Sequence, residues 1–162
     1  KMGGNGVKTA CVIAPSSCLR KKIETTKEIF KIAKLKTVID MNGGLFTSQN
    51  INVKTSIFVF EVGKEHKGKT YFYDFKDDGF KYSKRKMEDL GEWNDISKKA
   101  LEDIESQNVI DNKSYQEEVD TNTFENTLYT PKKEFKISNI DFIKTLVNYS
   151  IFELNEALNE KN

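Results

Sequence analysis

Proline, cysteine and histidine are scarce in this chain, and each scarcity excludes something. Two prolines, Pro15 and Pro131, stand in 162 residues, which rules out proline-rich linkers and polyproline docking segments. Two cysteines, Cys11 and Cys18, are too few for a disulfide framework. Cys11 lies on an apolar run expected to be a buried strand, so a pair of reduced thiols is expected, and with it a reducing cytoplasm. The single histidine, His66, sits in Gly63-Lys64-Glu65-His66-Lys67-Gly68 and is expected to be solvated. That setting argues against a Ser-His-Asp hydrolase and against a histidine-based zinc site. No apolar run approaches the roughly 20 residues of a membrane span, so no membrane partner is expected. The start, Lys1-Met2-Gly3-Gly4, has no signal-peptide core.

What is present suits one domain with an ordinary core. Apolar residues make up 37% and aromatics 11% against 31% charged, too much apolar content for global disorder. The net charge of +1 conceals a gradient. Residues 1–100 hold 20 Lys and Arg against 12 Asp and Glu, whereas residues 101–162 hold 6 against 13. A basic first part with an acidic tail suits a polyanion-binding surface beside a protein-contacting appendage, and equally an ordinary solvated surface.

The pattern predicts strands over 9–14, 36–41, 55–61 and 70–75, all rich in β-branched and aromatic residues. An amphipathic helix is expected over 19–34, with Leu19, Ile23, Phe30 and Ala33 on one face. Two strands separated by a helix favour a parallel crossover. The fourth strand, across the glycine-bounded turn 63–68, is expected to form a hairpin with the third. A helix is expected over 95–106, with Trp93 as its core anchor. Residues 107–136 are rich in Asn, Thr, Asp and Glu and read as a polar linker or long loop. Ser138-Asn139-Ile140-Asp141 reads as a capping box opening a final helix within 137–162. Its stripe of Ile143, Leu146, Val147, Ile151, Leu154 and Leu158 must pack on something. Gly3-Gly4-Asn5-Gly6 precedes a strand instead of following one, so it is not a phosphate-binding loop.

Several residues have two readings. Phe46, in Gly43-Gly44-Leu45-Phe46, can plug the end of the sheet with Leu45 or offer a face for stacking. Pro15, Ser16 and Ser17 follow a strand end, where open α/β sheets place ligands, yet such residues also cap helices. Lys54, Lys81, Lys84, Arg85 and Lys86 are candidate phosphate contacts or plain solvated charge. Asp77-Asp78-Gly79 reads as a turn, not a metal site. Asp40 followed by Glu61 faintly suggests a nuclease core, but position 63 is Gly where that core wants Lys. No metal site is expected.

Gly4-Asn5-Gly6-Val7, Val12-Ile13-Ala14-Pro15-Ser16-Ser17-Cys18, Arg20-Lys21-Lys22, Val38-Ile39-Asp40, Leu45-Phe46, Thr55-Ser56-Ile57-Phe58-Val59-Phe60 and Asp77-Asp78-Gly79-Phe80 follow one another in order. In that order they resemble the second half of the catalytic domain of DNA adenine N6-methyltransferases. More narrowly, they resemble the modification subunits of restriction-modification systems. The resemblance covers about the first hundred residues. It implies an α/β fold: the C-terminal part of a Rossmann-like methyltransferase sheet, with the third strand inserted antiparallel between the first two, followed by a helical tail. Residues 1–106 would be that half-domain. Phe46 would stack on a flipped adenine, and Pro15, Ser16 and Ser17 would edge its pocket. S-adenosylmethionine would be held mainly by a missing N-terminal half. Neither its glycine loop nor the Asn-Pro-Pro-aromatic tetrapeptide occurs here, so the chain would contain no catalytic residue and be inactive alone. Lys1 before Met2 fits a fragment. DNA, the missing half and a specificity subunit would be its partners. The alternative is a non-catalytic α/β module that binds DNA or protein. In either case the edge of the first strand is expected to be covered, by another chain or by residues 107–135.

Overall fold

A computed structural model describes residues 8–46, 53–83, 86–132 and 139–159. The chain divides into two compact units, Lys1–Pro131 and Lys132–Asn162. The first holds β1 (Lys8–Pro15), α1 (Cys18–Lys21), α2 (Ile23–Ile32), β2 (Ala33–Met41), β3 (Thr55–Val62), β4 (Lys69–Phe75), β5 (Phe80–Ser83), β6 (Lys86–Asp89), α3 (Trp93–Ser106) and β7 (Ser114–Glu118), then a short 3-10 turn, Glu125–Thr127. The second holds α4 (Asn139–Asn159).

Five strands form one sheet in the order β1-β3-β2-β4-β7. β3 lies antiparallel to both β1 and β2, the arrangement that the resemblance implies. Val12 and Val38 both register with Phe58, Val38 with Phe72, and Phe72 with Tyr115. Side chains directly opposite share a face. That face packs under α1 and α2, where Leu19, Phe30, Leu35, Val38, Phe58, Phe72 and Phe124 form the main core. The other face carries Ile39, Met41, Tyr71, Tyr73 and Phe75 against Ala100 of α3. An inner strand buried on both faces reads as a nearly unbroken apolar run, which is why Val38, Ile39 and Met41 succeed one another around a single charge.

Several expectations need correction. β4 does not form a hairpin with β3; it pairs parallel with β2. Both edges of β3 are already occupied by β1 and β2, so β4 takes the free edge of β2. The supposed linker contains β7, paired antiparallel with β4, and Phe124, Thr127 and Tyr129 beyond it are buried. β7 therefore extends the edge opposite to β1, and among the described residues β1 pairs only with β3. Cys11 is exposed, not buried, because β1 is that edge; Ile13 is 60% exposed. Trp93 is also partly exposed, although its ring meets Phe75 and Phe80 at 5.9 Å.

In α4, Ile143, Leu146, Val147 and Ile151 are exposed. The side chains of Leu154 and Leu158 lie outside the described residues, as does Ser138 of the expected capping box, and Gly3–Gly6 at the other end. No described helix is long and apolar enough to cross a membrane.

The last correction concerns His66, which is half-buried, not solvated. Its Nδ1 accepts the Leu35 N–H at 3.2 Å, and its ring lies 4.3 Å from that of Phe30. β2 shifts register between Leu35 and Thr37, and the imidazole serves a backbone donor at that irregularity. Burial, aided by nearby Lys34, lowers the His66 pKa. The neutral ring is thus the form that the fold favours. Its contribution is complete above the unfolded-state pKa of about 6.5 and is lost as pH falls through the lower folded value. We expect the melting temperature to drop by a few degrees more in the native chain than in His66→Gln between pH 8 and pH 5.5. Parallel losses in thermal melts of the two proteins would contradict this.

Candidate functional site

β1, β2 and β4 run in one direction, so their carboxyl ends share one edge of the sheet, the position where open α/β sheets place ligands. Pro15-Ser16-Ser17 leaves β1 there, Asp40 to Phe46 leaves β2, and Phe75 to Asp78 leaves β4. Lys54-Thr55-Ser56 enters β3 at the same end.

Asp40 is the centre of this edge. Its side chain is 1% exposed, and the ammonium groups of Lys54 and Lys76 each lie 3.1 Å from its Oδ2. These are ion pairs without well-aligned hydrogen bonds; attraction between opposite charges at this distance does not need the alignment. Ser56 Oγ donates to Ser16 Oγ at 2.7 Å and stands 3.5 Å from Asp40 Oδ1. The Ser16 N–H donates to the Lys54 carbonyl at 2.9 Å. Lys76 also pairs with Asp74 at 3.1 Å and lies 5.1 Å from the centre of the Tyr129 ring. Burial opposes the Lys76 charge, but the Asp40 and Asp74 carboxylates outweigh it and raise its pKa. One buried carboxylate thus ties the ends of β2, β3 and β4 together.

The turn after β2 is fixed from two sides. Asn42 Nδ2 donates to the Lys76 carbonyl at 2.6 Å, while Asn42 Oδ1 accepts the Gly44 N–H at 2.9 Å. Gly44 lies so close to the Tyr82 ring and Cβ that no side chain fits at that position. Leu45 packs with the α3-side core. Phe46, next to it, belongs to neither core cluster and is half-buried. The two residues of the pair therefore part: Leu45 fills the sheet end, and Phe46 remains partly available.

Pro15, Ser16, Ser17 and Lys54 are brought together. With Arg20, Lys21, Val53 and Leu128 they line an open cleft of about 480 Å³. Arg20 is held by Glu125 at 2.8 Å. Phe46 does not line this cleft. Lys81 and Lys86 are exposed on the separate two-stranded sheet β5–β6; Lys84 and Arg85 lie outside the described residues. Asp40 and Glu61 do not form a pair: Asp40 registers with Ser56, whereas Glu61 registers with Lys34 near the other end of β2. Asp78 serves a turn as expected, accepting the Phe80 N–H at 3.1 Å.

Sequence reasoning missed the Asp40–Lys76 pair, Asn42 and Tyr82. A signal existed for the first: a lone acid in an apolar inner strand must find a cation or lose its charge. Because two lysines share the carboxylate and each is about half exposed, either is dispensable and both are not. Lys54→Met or Lys76→Met alone is expected to cost about 1 kcal/mol, and the pair together about 3–5 kcal/mol. Denaturant unfolding measures this; strictly additive losses would contradict a shared buried carboxylate.

A model of the N-6 DNA methylase family matches residues 3–149. No curated protein matches the chain in sequence. Among solved structures it is similar to the modification subunit of a putative type I restriction enzyme from Vibrio vulnificus YJ016, at 17% identity and a TM-score of 0.55 over 72% of this chain and 24% of that one. It is also similar to a chain from a study of complex assembly and conformational transition in the type I R-M system, at 15% identity and a TM-score of 0.57 over 98% of this chain and 36% of that one. At these identities the likeness is one of fold, and this chain spans about a quarter to a third of those neighbours' lengths. The sheet is accordingly part of a methyltransferase α/β fold, and, with most of its length matched by the family's model, the chain belongs to the N-6 DNA methylases.

Proposed function

We propose that this chain supplies the base-stacking part of an S-adenosylmethionine-dependent DNA adenine N6-methyltransferase of a restriction-modification system. The observation that carries the reading is the half-buried Phe46 on a turn fixed by Asn42 and Tyr82, at the carboxyl edge of the sheet. An enzyme that modifies a base within a duplex must take that base out of the stack. An aromatic face on a braced turn receives it at a gain of about 1–3 kcal/mol. Pro15, Ser16 and Ser17 edge the pocket, and Lys54, Lys81, Lys84, Arg85 and Lys86 contact phosphates on either side.

The residues of this chain do not suit a cofactor cradle. The described strand-to-helix connection after β1 is Pro15-Ser16-Ser17, without glycine, and no Asn-Pro-Pro-aromatic occurs. S-adenosylmethionine and the residues that position the amine therefore belong to the remaining methyltransferase half, and this chain alone is inactive. That half adds strands at the free edge of β1, and α4 offers Ile143, Leu146, Val147 and Ile151 to the remaining half or to a specificity subunit. Such a protein works in the cytoplasm, where the DNA is.

Reconstitution tests the reading. With the remaining half present, transfer of labelled methyl groups to adenine is expected; the chain alone shows none. Phe46→Ala should lower turnover about tenfold to a hundredfold and remove the fluorescence change of 2-aminopurine placed at the methylated position. Unchanged turnover and unchanged fluorescence would overturn stacking at Phe46.

A further inference from the structure

The β5–β6 hairpin has two chemically different faces. Lys81 registers with Glu88 and Ser83 with Lys86, while Phe80 registers with Asp89 and Tyr82 with Met87. Opposite residues share a face, so Lys81 and Lys86 project away from the side that holds Phe80 and Tyr82. That second side is anchored. Phe80 meets the Trp93 ring at 5.9 Å at the start of α3, and the Leu90 N–H donates to the Gly79 carbonyl at 3.1 Å, closing the hairpin base. Tyr82 Oη donates to Asp78 Oδ2 at 2.6 Å, and Asp78 is buried. The same Tyr82 ring lies on Gly44, two residues before Phe46. Gly44 needs no left-handed backbone: its φ is not positive. Its lack of a side chain is required by the tyrosine alone.

We propose that Tyr82 is a positioning residue for the target base: through its contact with Gly44 it ties the cationic hairpin to the turn that carries Phe46. This rests on the base-stacking reading above and adds a device to it. A DNA backbone engaged by Lys81 and Lys86 fixes the hairpin. The hairpin, through Tyr82, fixes the turn, and the Phe46 ring is set before the base arrives. Preorganisation of this kind acts on turnover, because misplacement of a reacting group by about 1 Å costs rate even where binding persists. Contacts to phosphates act on DNA affinity.

Steady-state methyl transfer to unmethylated DNA by the assembled methyltransferase separates these roles. Tyr82→Ala is expected to lower kcat about tenfold and leave the KM for DNA within about twofold. Gly44→Ala should do the same, because its methyl group displaces the ring. In Gly44→Ala/Tyr82→Gly both the ring and the Cβ that crowd position 44 are gone, so the double variant should match Tyr82→Gly alone. Tyr82→Phe keeps the ring on Gly44 and should retain most of the turnover. Lys81→Ala/Lys86→Ala should raise the KM for DNA. If Gly44→Ala fails to fold, recovery of folding by added Tyr82→Gly supports the contact, and failure of both overturns it. Additive losses in the double variant, or a Tyr82→Ala effect confined to KM, would also overturn the proposal. A Phe46→Ala variant with full turnover ends the stacking reading itself; low turnover in Phe46→Ala beside normal turnover in the Tyr82 variants ends only the positioning role.

Discussion

The buried carboxylate of Asp40 is the constraint on which the rest of this edge depends. A charge nearly removed from water is costly unless it is neutralised at short range, and here two ammonium groups at 3.1 Å do so. They come from different elements: Lys54 precedes β3, and Lys76 follows β4. The electrostatic requirement of one side chain therefore fixes where three strand ends lie relative to one another. Because Lys76 also gives its carbonyl to Asn42, the same constraint reaches the turn that ends in Phe46.

From that anchor the edge is built outward in two directions. Towards β1, Ser56 and Ser16 join the β3 entrance to the β1 exit, and the open cleft forms beside them. Towards the hairpin, Asn42 and Gly44 hand the turn to Tyr82, whose phenol is held by Asp78. Burial, with the adjacent Asp78 carboxylate, raises the Tyr82 pKa, so the proton that makes this bond remains in place across the physiological range. On the face under α1 and α2 the sheet is held by a core of Leu35, Val38, Phe58 and Phe72.

What the sequence disclosed follows from the range of the forces involved. β1, β2 and β3 were legible because each is a short apolar β-branched run, and the antiparallel placing of β3 followed from the family resemblance. The partner of β4 was not legible, since it depends on which strand edges are free once three strands have assembled. β7, Ser-Tyr-Gln-Glu-Glu, was hidden because an edge strand with one exposed face needs few apolar residues. His66 looked solvated among lysines, but its partner, the Leu35 N–H, lies 31 residues away. At the site, the strand-end rule brought Pro15, Ser16, Ser17 and Lys54 to one cleft. It could not reveal Lys76 or Tyr82, whose roles arise from single long-range contacts. Gly44 was noted as a glycine; that it is required by a tyrosine on a separate hairpin is visible only in three dimensions.

The central claim is that Phe46 receives the target base, and photo-crosslinking tests it most directly. A duplex carrying 5-iodouracil in place of the methylated adenine is irradiated in the assembled methyltransferase, and the attached residue is identified by mass spectrometry. The account predicts attachment at Phe46. Attachment elsewhere, with the 43–46 turn unmodified, would contradict it.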